Sequence, residues 1–302
     1  EVPQMCDRLI VSFGNLFKFT PLRIVLALND LSWLDRGRNR ARAVMKEAVS
    51  NILDAARVKN SHSESDGEAL SLLQVLLKAN DTDAKVHARN RLNDEELQNE
   101  IKTFLLAGHE TTATLCYWVM YVLCTEHAEI QEKVFDDIMK HSSHLQVDEF
   151  NIEVVKKMEY FDAFIKEVLR FYPPAGLVIR HTTQDENMKG CLIPKKTRIM
   201  IPIYLLHRHP KYWKDPNTFN PEQWMGDSHP ASHPCAYLPF SLGGRNCIGS
   251  QFALWEAKLL LAPILREFSI RIAPSMRHTE FTLTQGITLK TKPRLRICVA
   301  KR

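Results

Sequence analysis

The chain has 302 residues, 45% of them hydrophobic and 25% charged, so it can bury a substantial core as one large domain or two modest ones. Its net charge of +5 comes from dispersed basic residues, which argues against a nucleic-acid partner. Seven widely spaced cysteines without a CxxC pair fit a reduced environment better than a disulfide framework. The sequence has no uninterrupted apolar run of membrane-spanning length and no visible signal peptide.

The first ninety residues are predicted to be helical, although their apolar pattern is weak. Residues 36–58 fit a charged amphipathic helix and residues 67–79 a shorter apolar helix, joined by a polar and flexible connector. The charged face of the first helix is best explained by contact with solvent. Because the chain opens at Glu1 and not at a methionine, we expect it to be a fragment or a processed product.

The strongest helix signal begins at Asn93, which is predicted to cap a helix whose first turn is acidic. From Ile101 to Leu123 the segment is apolar on nearly all sides. Such a helix is normally buried by neighbours all round, so we expect it to cross the middle of the fold. Glu110 lies inside this span, where a carboxylate is costly unless it is paired or functional.

Further elements follow in chain order. Helices are predicted at residues 126–141 and 158–172, the second ended by two prolines. The runs GLVIRHTT, CLIP and TRIMIP predict short strands, and residues 207–239 should be irregular but folded. A helix at about residues 249–267 precedes three closing strands, FSIRI, FTLTQGITL and RLRICVA. This order predicts a mainly helical α+β fold.

The loop FSLGGRNCIG, just before the last helix, combines features that a planar metal cofactor needs. Gly243 and Gly249 allow the backbone to lie flat, and Cys247 precedes a helix N-terminus that stabilises a thiolate. Arg245 offers a cationic fork for a carboxylate, and Phe240 can cover the sulfur. Haem meets these requirements together. The alternatives are a tight turn with a buried structural cysteine, or a phosphate loop, whose GK[ST] ending is missing.

This loop resembles the haem-binding segment of the cytochrome P-450 superfamily, the haem-thiolate monooxygenases. Five signatures of that family occur in its order, from about residue 92 to the end of the chain. KEVLR supplies Glu167 and Arg170 as the ExxR pair, an i,i+3 ion pair to which the resemblance gives a structural role. FNPEQW occupies the place of the PERF-type motif, but Gln223 replaces the usual arginine and is expected to hydrogen-bond instead.

AGHETT matches the oxygen-activation motif of the same family. Gly108 removes a side chain beside the metal, and Thr111 can bond the carbonyl of Ala107 and supply a proton, with Glu110 as the acid. The alternative is a back-bonded threonine in an ordinary core helix. One subgroup has a glutamate, esterified to haem, at the position of Ala107, so that covalent link is not expected here.

The resemblance also implies a second propionate contact and a substrate pocket. Arg180 matches the position of the propionate contact, and a solvated strand charge is an equally good interpretation. The pocket residues are those before Arg180 and those at the last hairpin, together with Ala107 on the central helix. They are Ala107, Ala175, Gly176, Leu177, Val178, Gly286, Ile287 and Thr288.

The irregular segment also contains candidate ligands for a second metal site. His207, His209, His229, His233 and Cys235 fall within it, but zinc would require a more compact Cys/His spacing. Histidines on solvated loops are the favoured interpretation.

The resemblance implies haem b (iron protoporphyrin IX) with Cys247 as the axial ligand of the iron. It implies insertion of one oxygen atom from O2 into a hydrophobic small molecule, with electrons from NADPH through a reductase. Membrane association would come from a segment outside this chain, at the cytosolic face of the endoplasmic reticulum. Residues 1–302 then form a partial cytochrome P-450 domain, with a helical region (1–91), the central helix (92–124) and a haem-binding part (125–302).

Two alternatives keep part of this interpretation. One is a haem-thiolate isomerase or dehydratase that needs no external O2, and the presence of Thr111 argues against it. The other is an inactive, haem-free truncated chain, which Gln223 and the expected loss of N-terminal sequence support.

Overall fold

The computed structural model describes residues 36–62, 71–86, 92–125, 128–226 and 229–302. The chain divides into two compact units, residues 1–109 and residues 110–302. The predictions for residues 1–35 and for most of the first connector lie outside the described residues. None of the helices in the described ranges is long and apolar enough to cross a membrane.

The first unit contains the helices α1 (Arg36–His62) and α2 (Leu72–Val86) and the start of α3 (Asp94–Thr125). The prediction of α1 is confirmed, whereas α2 begins later than the predicted residue 67. Ser71 explains this start, because its N–H donates to Gln74 Oε1 at 2.9 Å while the Gln74 N–H donates to Ser71 Oγ at 3.3 Å. The buried apolar residues of this unit are Val49, Leu53, Leu77, Leu97 and Ile101.

The predicted cap of α3 is confirmed. The Glu96 N–H donates to Asn93 Oδ1 at 3.0 Å, and the Asn93 N–H donates to Glu96 Oε2 at 2.8 Å. These two bonds form a capping box and satisfy two backbone donors at the helix start.

Burial of α3 on every side is wrong for part of its length. Ala107, Gly108 and Ala113 are exposed, and a Cβ added at Gly108 would meet no atom within 4 Å. The C-terminal part is buried as predicted. Its buried apolar residues are Leu115, Trp118, Val119, Val122 and Leu123.

The second unit packs its helices around one apolar core. They are the remainder of α3, α4 (Ala128–Ser142), α5 (Ile152–Val155), α6 (Glu159–Phe171), α7 (Ile203–Leu206) and α8 (Ser250–Glu267). Aromatic rings on α3 and α6 fill much of this core, with Trp118 stacked on Tyr172 at 4.1 Å and Phe161 and Phe164 fully buried. Such rings bury large areas, so they hold the helices that carry the candidate site in fixed positions.

The strands of the described residues form four two-stranded antiparallel sheets. β1 (Val178–His181) pairs with β4 (Arg198–Ile201), and β2 (Glu186–Met188) pairs with β3 (Cys191–Ile193). β5 (Phe268–Ile272) pairs with β8 (Ile297–Lys301), and β6 (Thr282–Gln285) pairs with β7 (Leu289–Lys292).

Two strand predictions need correction. FTLTQGITL is not one strand but most of the hairpin β6–β7, which turns where the Gly286 N–H donates to the Thr288 carbonyl at 3.1 Å. β2 had no prediction, because its sequence ENM lacks the β-branched and aromatic residues that mark strands.

Residues 207–239 are irregular but folded, as predicted. Two 3₁₀ turns, Pro221–Trp224 and Pro234–Ala236, interrupt the segment. Trp213 is buried at their centre, and the rings of Trp224 and Tyr237 lie 4.5 Å apart. Aromatic packing therefore replaces regular backbone pairing as the source of order here.

Candidate functional site

Cys247 lies on a loop, residues 239–249, that folds back on itself immediately before α8; we name it the cysteine loop. The Cys247 N–H donates to the Phe240 carbonyl at 2.9 Å, and the Asn246 N–H donates to the Gly243 carbonyl at 3.0 Å. Gly243 has a φ of +84°, in the left-handed region that favours glycine. This glycine therefore permits the turn that presents the cysteine.

Burial makes two of the described cysteines, Cys116 and Cys124, poor candidates for binding a metal. Burial raises the pKa of the Cys116 thiol to about 11, helped by the Glu256 charge, and burial also raises the pKa of Cys124 to about 11. Metal ligation requires the thiolate, so these two thiols are poor ligands. Cys247 is exposed and directly precedes a long helix, whose N-terminus favours negative charge.

The surface around Cys247 suits a flat, largely apolar group. Ile248 is 90% exposed, Phe252 66% and Leu242 61%, so the sulfur has exposed apolar neighbours in the loop and the first helical turn. A Cβ added at either residue of the Gly243–Gly244 pair would meet no atom within 4 Å. A soft sulfur donor, apolar neighbours and side-chain-free backbone together fit haem.

The two arginines predicted to contact propionates, Arg180 and Arg245, differ in burial and in hydrogen bonding. Arg180 lies on β1, is half-buried, and donates from its guanidinium to Ser241 Oγ at 3.0 Å, which links it to the cysteine loop. Arg245 lies on the cysteine loop itself and is exposed. The structure thus brings Arg180 to the same loop as Cys247, although 67 positions separate them in the sequence.

The Glu167–Arg170 pair is fully buried, whereas an i,i+3 pair on a helix is usually exposed. The Arg170 guanidinium donates twice to the Glu167 carboxylate, at 2.8 Å each. Its other N–H groups donate to the carbonyls of His207, Pro216 and Thr218 at 2.8–3.1 Å. Arg170 therefore holds together α6 and the start of the irregular segment.

Gln223 hydrogen-bonds Glu167, as expected from the sequence. Its Nε2 donates to Glu167 Oε2 at 2.8 Å, and Trp224 Nε1 donates to the same oxygen at 2.9 Å. The Asn220 N–H donates to Glu167 Oε1 at 2.8 Å. Glu167 thus accepts three neutral N–H groups besides those of Arg170. The hydrogen bond from Trp224 was not predicted, because the family motif requires an aromatic residue at its end but not an N–H donor.

Glu110 is paired within the second unit. Its Oε1 accepts from Thr288 Oγ1 at 2.9 Å and lies 2.6 Å from Lys290 Nζ. This satisfies the requirement that a carboxylate in an apolar span must have a partner. Thr111, the next residue on α3, is half-buried. Lys290 was missed, because 180 positions separate it from Glu110 and no local pattern links them.

Two of the predicted pocket segments lie side by side. The Leu289 N–H donates to the Pro174 carbonyl at 3.1 Å, and a Cβ at Gly176 would lie 2.8 Å from Gln285 Oε1. Hairpin β6–β7 therefore adjoins the segment that follows α6. Ala175, Leu177 and Val178 are half-buried, Gly176 is buried and Ile287 is 48% exposed; Ala107 lies in the first unit and is exposed.

His207 corrects the prediction that the histidines of residues 207–239 are solvated. It is fully buried, with Nδ1 3.2 Å from the Arg170 carbonyl and Nε2 accepting the Leu238 N–H at 2.8 Å. Burial, with the charges of Arg170 and Arg208, lowers the His207 pKa to about 4. In the described residues, no group of three or more His, Cys, Asp or Glu side chains could hold a metal ion.

The neutral His207 predicts a pH-dependent stability. Its pKa falls from an ordinary 6.5 to about 4 on folding, so its contribution is complete above pH 6.5 and is lost as the pH falls towards 4. The loss can reach about 3 kcal/mol, since each pKa unit corresponds to about 1.4 kcal/mol. Urea unfolding between pH 4 and 7 should show a shallower dependence for His207→Gln, but not for the exposed His209→Gln. Equal slopes for all three proteins would contradict this.

The mainly helical α+β fold and the exposed Cys247 before a long helix are compatible with a haem-thiolate protein. The family model "Cytochrome P450" matches residues 3–299. The chain therefore belongs to the cytochrome P450 family.

Similar proteins extend well beyond the length of this chain. "Cytochrome P450 4V2" of Mus musculus is 34% identical over 270 residues, which cover 84% of this chain and 49% of the relative. "Cytochrome P450 3A9" of Rattus norvegicus is 33% identical over 240 residues, covering 78% and 46%. The crystal structure of the "cytochrome P450DA heme domain" has a TM-score of 0.78 and 27% identity, covering 98% of this chain and 61% of that one. The chain spans about half the length of the two curated relatives.

Proposed function

We propose that the protein containing this chain is a haem-thiolate monooxygenase. It inserts one oxygen atom of O2 into a hydrophobic small molecule and releases the other as water. The reaction uses two protons and two electrons, which a reductase passes from NADPH. The observation that carries this proposal is the exposed Cys247 before α8, in a chain of the cytochrome P450 family.

The cysteine loop would hold haem b. Cys247 would supply the sulfur ligand, Gly243 and Gly249 would leave room for the ring, and Phe240 would cover the sulfur. Arg245 provides a cation for a propionate, and Arg180, 3.0 Å from Ser241 of the same loop, provides a second. When bound, the haem supplies the O2 and electron-transfer chemistry, while the protein contributes ligation, orientation and proton delivery.

Proton delivery is assigned to Glu110 and Thr111. Thr288 and Lys290 hold the Glu110 carboxylate in place, and Thr111 is the next residue on α3. The Thr111 hydroxyl can both donate and accept, which suits it to pass on a proton that Glu110 supplies. Glu167 and Arg170 are assigned a structural role, because both side chains are fully buried and their hydrogen bonds go to each other and to the irregular segment.

The substrate is proposed to be hydrophobic, because the segment after α6 and the tip of hairpin β6–β7 present mostly apolar side chains. The residues assigned to the pocket in this unit are Ala175, Gly176, Leu177, Val178 and Ile287. A location at the cytosolic face of the endoplasmic reticulum membrane is proposed from the family.

Thr111→Ala is expected to separate electron use from product formation. Loss of the hydroxyl removes a proton donor, and positioned acid–base groups contribute about 100- to 10,000-fold to such steps. NADPH oxidation should continue while hydroxylated product falls and hydrogen peroxide rises. Product, NADPH and peroxide are measured with a reductase and a panel of hydrophobic substrates, with and without O2.

Two outcomes would count against these assignments. Wild-type protein that makes no product requiring both O2 and NADPH would contradict the monooxygenase function. Unchanged coupling in Thr111→Ala would show that proton delivery uses another route. Thr125→Ala is a matched control, since this threonine lies at the end of α3 and bonds the Tyr121 carbonyl at 2.7 Å.

A further inference from the structure

Strand β7 and the bend before it make polar contacts along one side of α3. Positions 110, 117 and 118 of α3 are spaced by seven and eight residues, so their side chains lie on the same side of the helix. The Tyr117 hydroxyl bonds the Thr291 hydroxyl, and Trp118 Nε1 donates to the Leu289 carbonyl at 3.0 Å. Glu110 completes the row through Thr288 and Lys290. The hairpin is therefore held by polar contacts to the helix that bears the acid.

The Glu110 carboxylate receives two donors from this strand region. Thr288 is 2% exposed and donates its hydroxyl at 2.9 Å, while the Lys290 ammonium lies 2.6 Å from the same oxygen. Thr288 reaches this carboxylate from the bend before β7, and Lys290 reaches it from the strand itself. The Glu110 side chain is 29% exposed and that of Lys290 47%, so the pair is partly shielded from water.

The hairpin also contacts the proposed substrate segment. The Leu289 N–H bonds the Pro174 carbonyl, and Gln285 lies against Gly176. One short hairpin thus joins Glu110 on α3 to the residues after α6. A shift of this hairpin would alter the position of the acid.

We propose that Lys290 is a positioning residue for the Glu110 carboxylate. The inference rests on the proposed function, in which Glu110 supplies protons through Thr111. Lys290 holds the carboxylate against the hairpin in one orientation, and Thr288 fixes the same oxygen by hydrogen bonding. Loss of the ammonium frees the carboxylate to rotate, so protons arrive less efficiently and more reduced oxygen leaves as peroxide.

The test compares Lys290→Met with Lys290→Arg in the haem-loaded protein. Hydrogen–deuterium exchange of the amides at residues 286–291 should be about twofold to fivefold faster in Lys290→Met, the range expected for a partly exposed ion pair. The fraction of NADPH electrons recovered as peroxide should rise by a similar factor. Lys290→Arg, which keeps the charge, should restore both values.

Lys292→Met is the matched control, because Lys292 lies two residues along the same strand and is also exposed. It should leave exchange at residues 286–291 and peroxide release at the wild-type values. Glu110→Gln should speed exchange as Lys290→Met does, and the double variant should add little, since both remove one interaction.

The results separate this inference from the proposed function. Wild-type exchange rates in Lys290→Met, or equal effects of Lys292→Met, would overturn the positioning role whatever the activity. Faster exchange with unchanged peroxide release would also overturn it, because the ion pair would then only stabilise the hairpin. Wild-type protein that yields no O2-dependent product would contradict the monooxygenase function, while the exchange data would still report on the contact itself.

Discussion

Cys247→Ala should abolish the red-shifted absorbance band that a thiolate-ligated haem gives after reduction and treatment with carbon monoxide. The band requires a sulfur anion on the iron, and alanine offers no ligand atom. Cys116 and Cys124 cannot substitute for it, because burial raises the pKa of each thiol to about 11. The loss should be complete, measured by difference absorbance on protein incubated with haemin.

The control for this experiment is Cys235→Ala, another exposed cysteine in the irregular segment before the cysteine loop. That variant should keep the full band. Far-UV circular dichroism of Cys247→Ala separates loss of the ligand from loss of the fold. If the band survives in folded Cys247→Ala, the assignment of this residue as the haem ligand is wrong.

Glu167→Gln should cost about 3–5 kcal/mol of unfolding free energy, the usual range when one partner of a buried ion pair is removed. Arg170 would become a fully buried cation without its counter-charge. Arg170, Gln223 and Trp224 all donate hydrogen bonds to the Glu167 carboxylate. The NH2 group of a glutamine is itself a donor and cannot accept them. Urea unfolding of the haem-loaded protein at neutral pH measures the loss.

Glu153→Gln is the matched control, because Glu153 and Lys156 form an i,i+3 ion pair on the surface. The same chemical change there should leave the unfolding midpoint unchanged, since water solvates the freed lysine. Insoluble Glu167→Gln beside soluble Glu153→Gln would agree with the expectation. Equal midpoints for the two variants would contradict it.

Much of the fold could be predicted from the sequence, because periodicity and capping are local properties. Asn93 marked the start of α3, and the apolar spacing of residues 158–172 marked α6 to within a residue. The start of α2 was misplaced, because its apolar run begins before Ser71, where the capping box sets the first turn. The pattern of FTLTQGITL alone predicted one strand, whereas the family resemblance had placed a hairpin at residues 286–288, where the chain does turn.

The candidate site was predictable where one motif carries its own chemistry and hidden where distant residues meet. Cys247, Gly243 and Arg245 share one short loop, so their pattern is visible in the sequence. The link between Glu110 and Lys290, by contrast, joins positions far apart in the chain. The burial of His207 was not predicted for the same reason, since it depends on Arg170 of α6 and on Leu238, just before the cysteine loop.

The 3₁₀ turn Pro221–Trp224 is held on two sides by interactions that respond differently to ionic strength. Outside, Glu222 pairs with Lys133 at 2.5 Å, and both side chains are about half in water. Inside, Gln223 and Trp224 bind Glu167 in a cluster whose formal charges cancel, because Arg170 balances the carboxylate and the remaining donors are neutral. Salt screens exposed charges but penetrates a dry core poorly. In concentrated electrolyte the outer attachment of this turn should therefore loosen while the inner one persists.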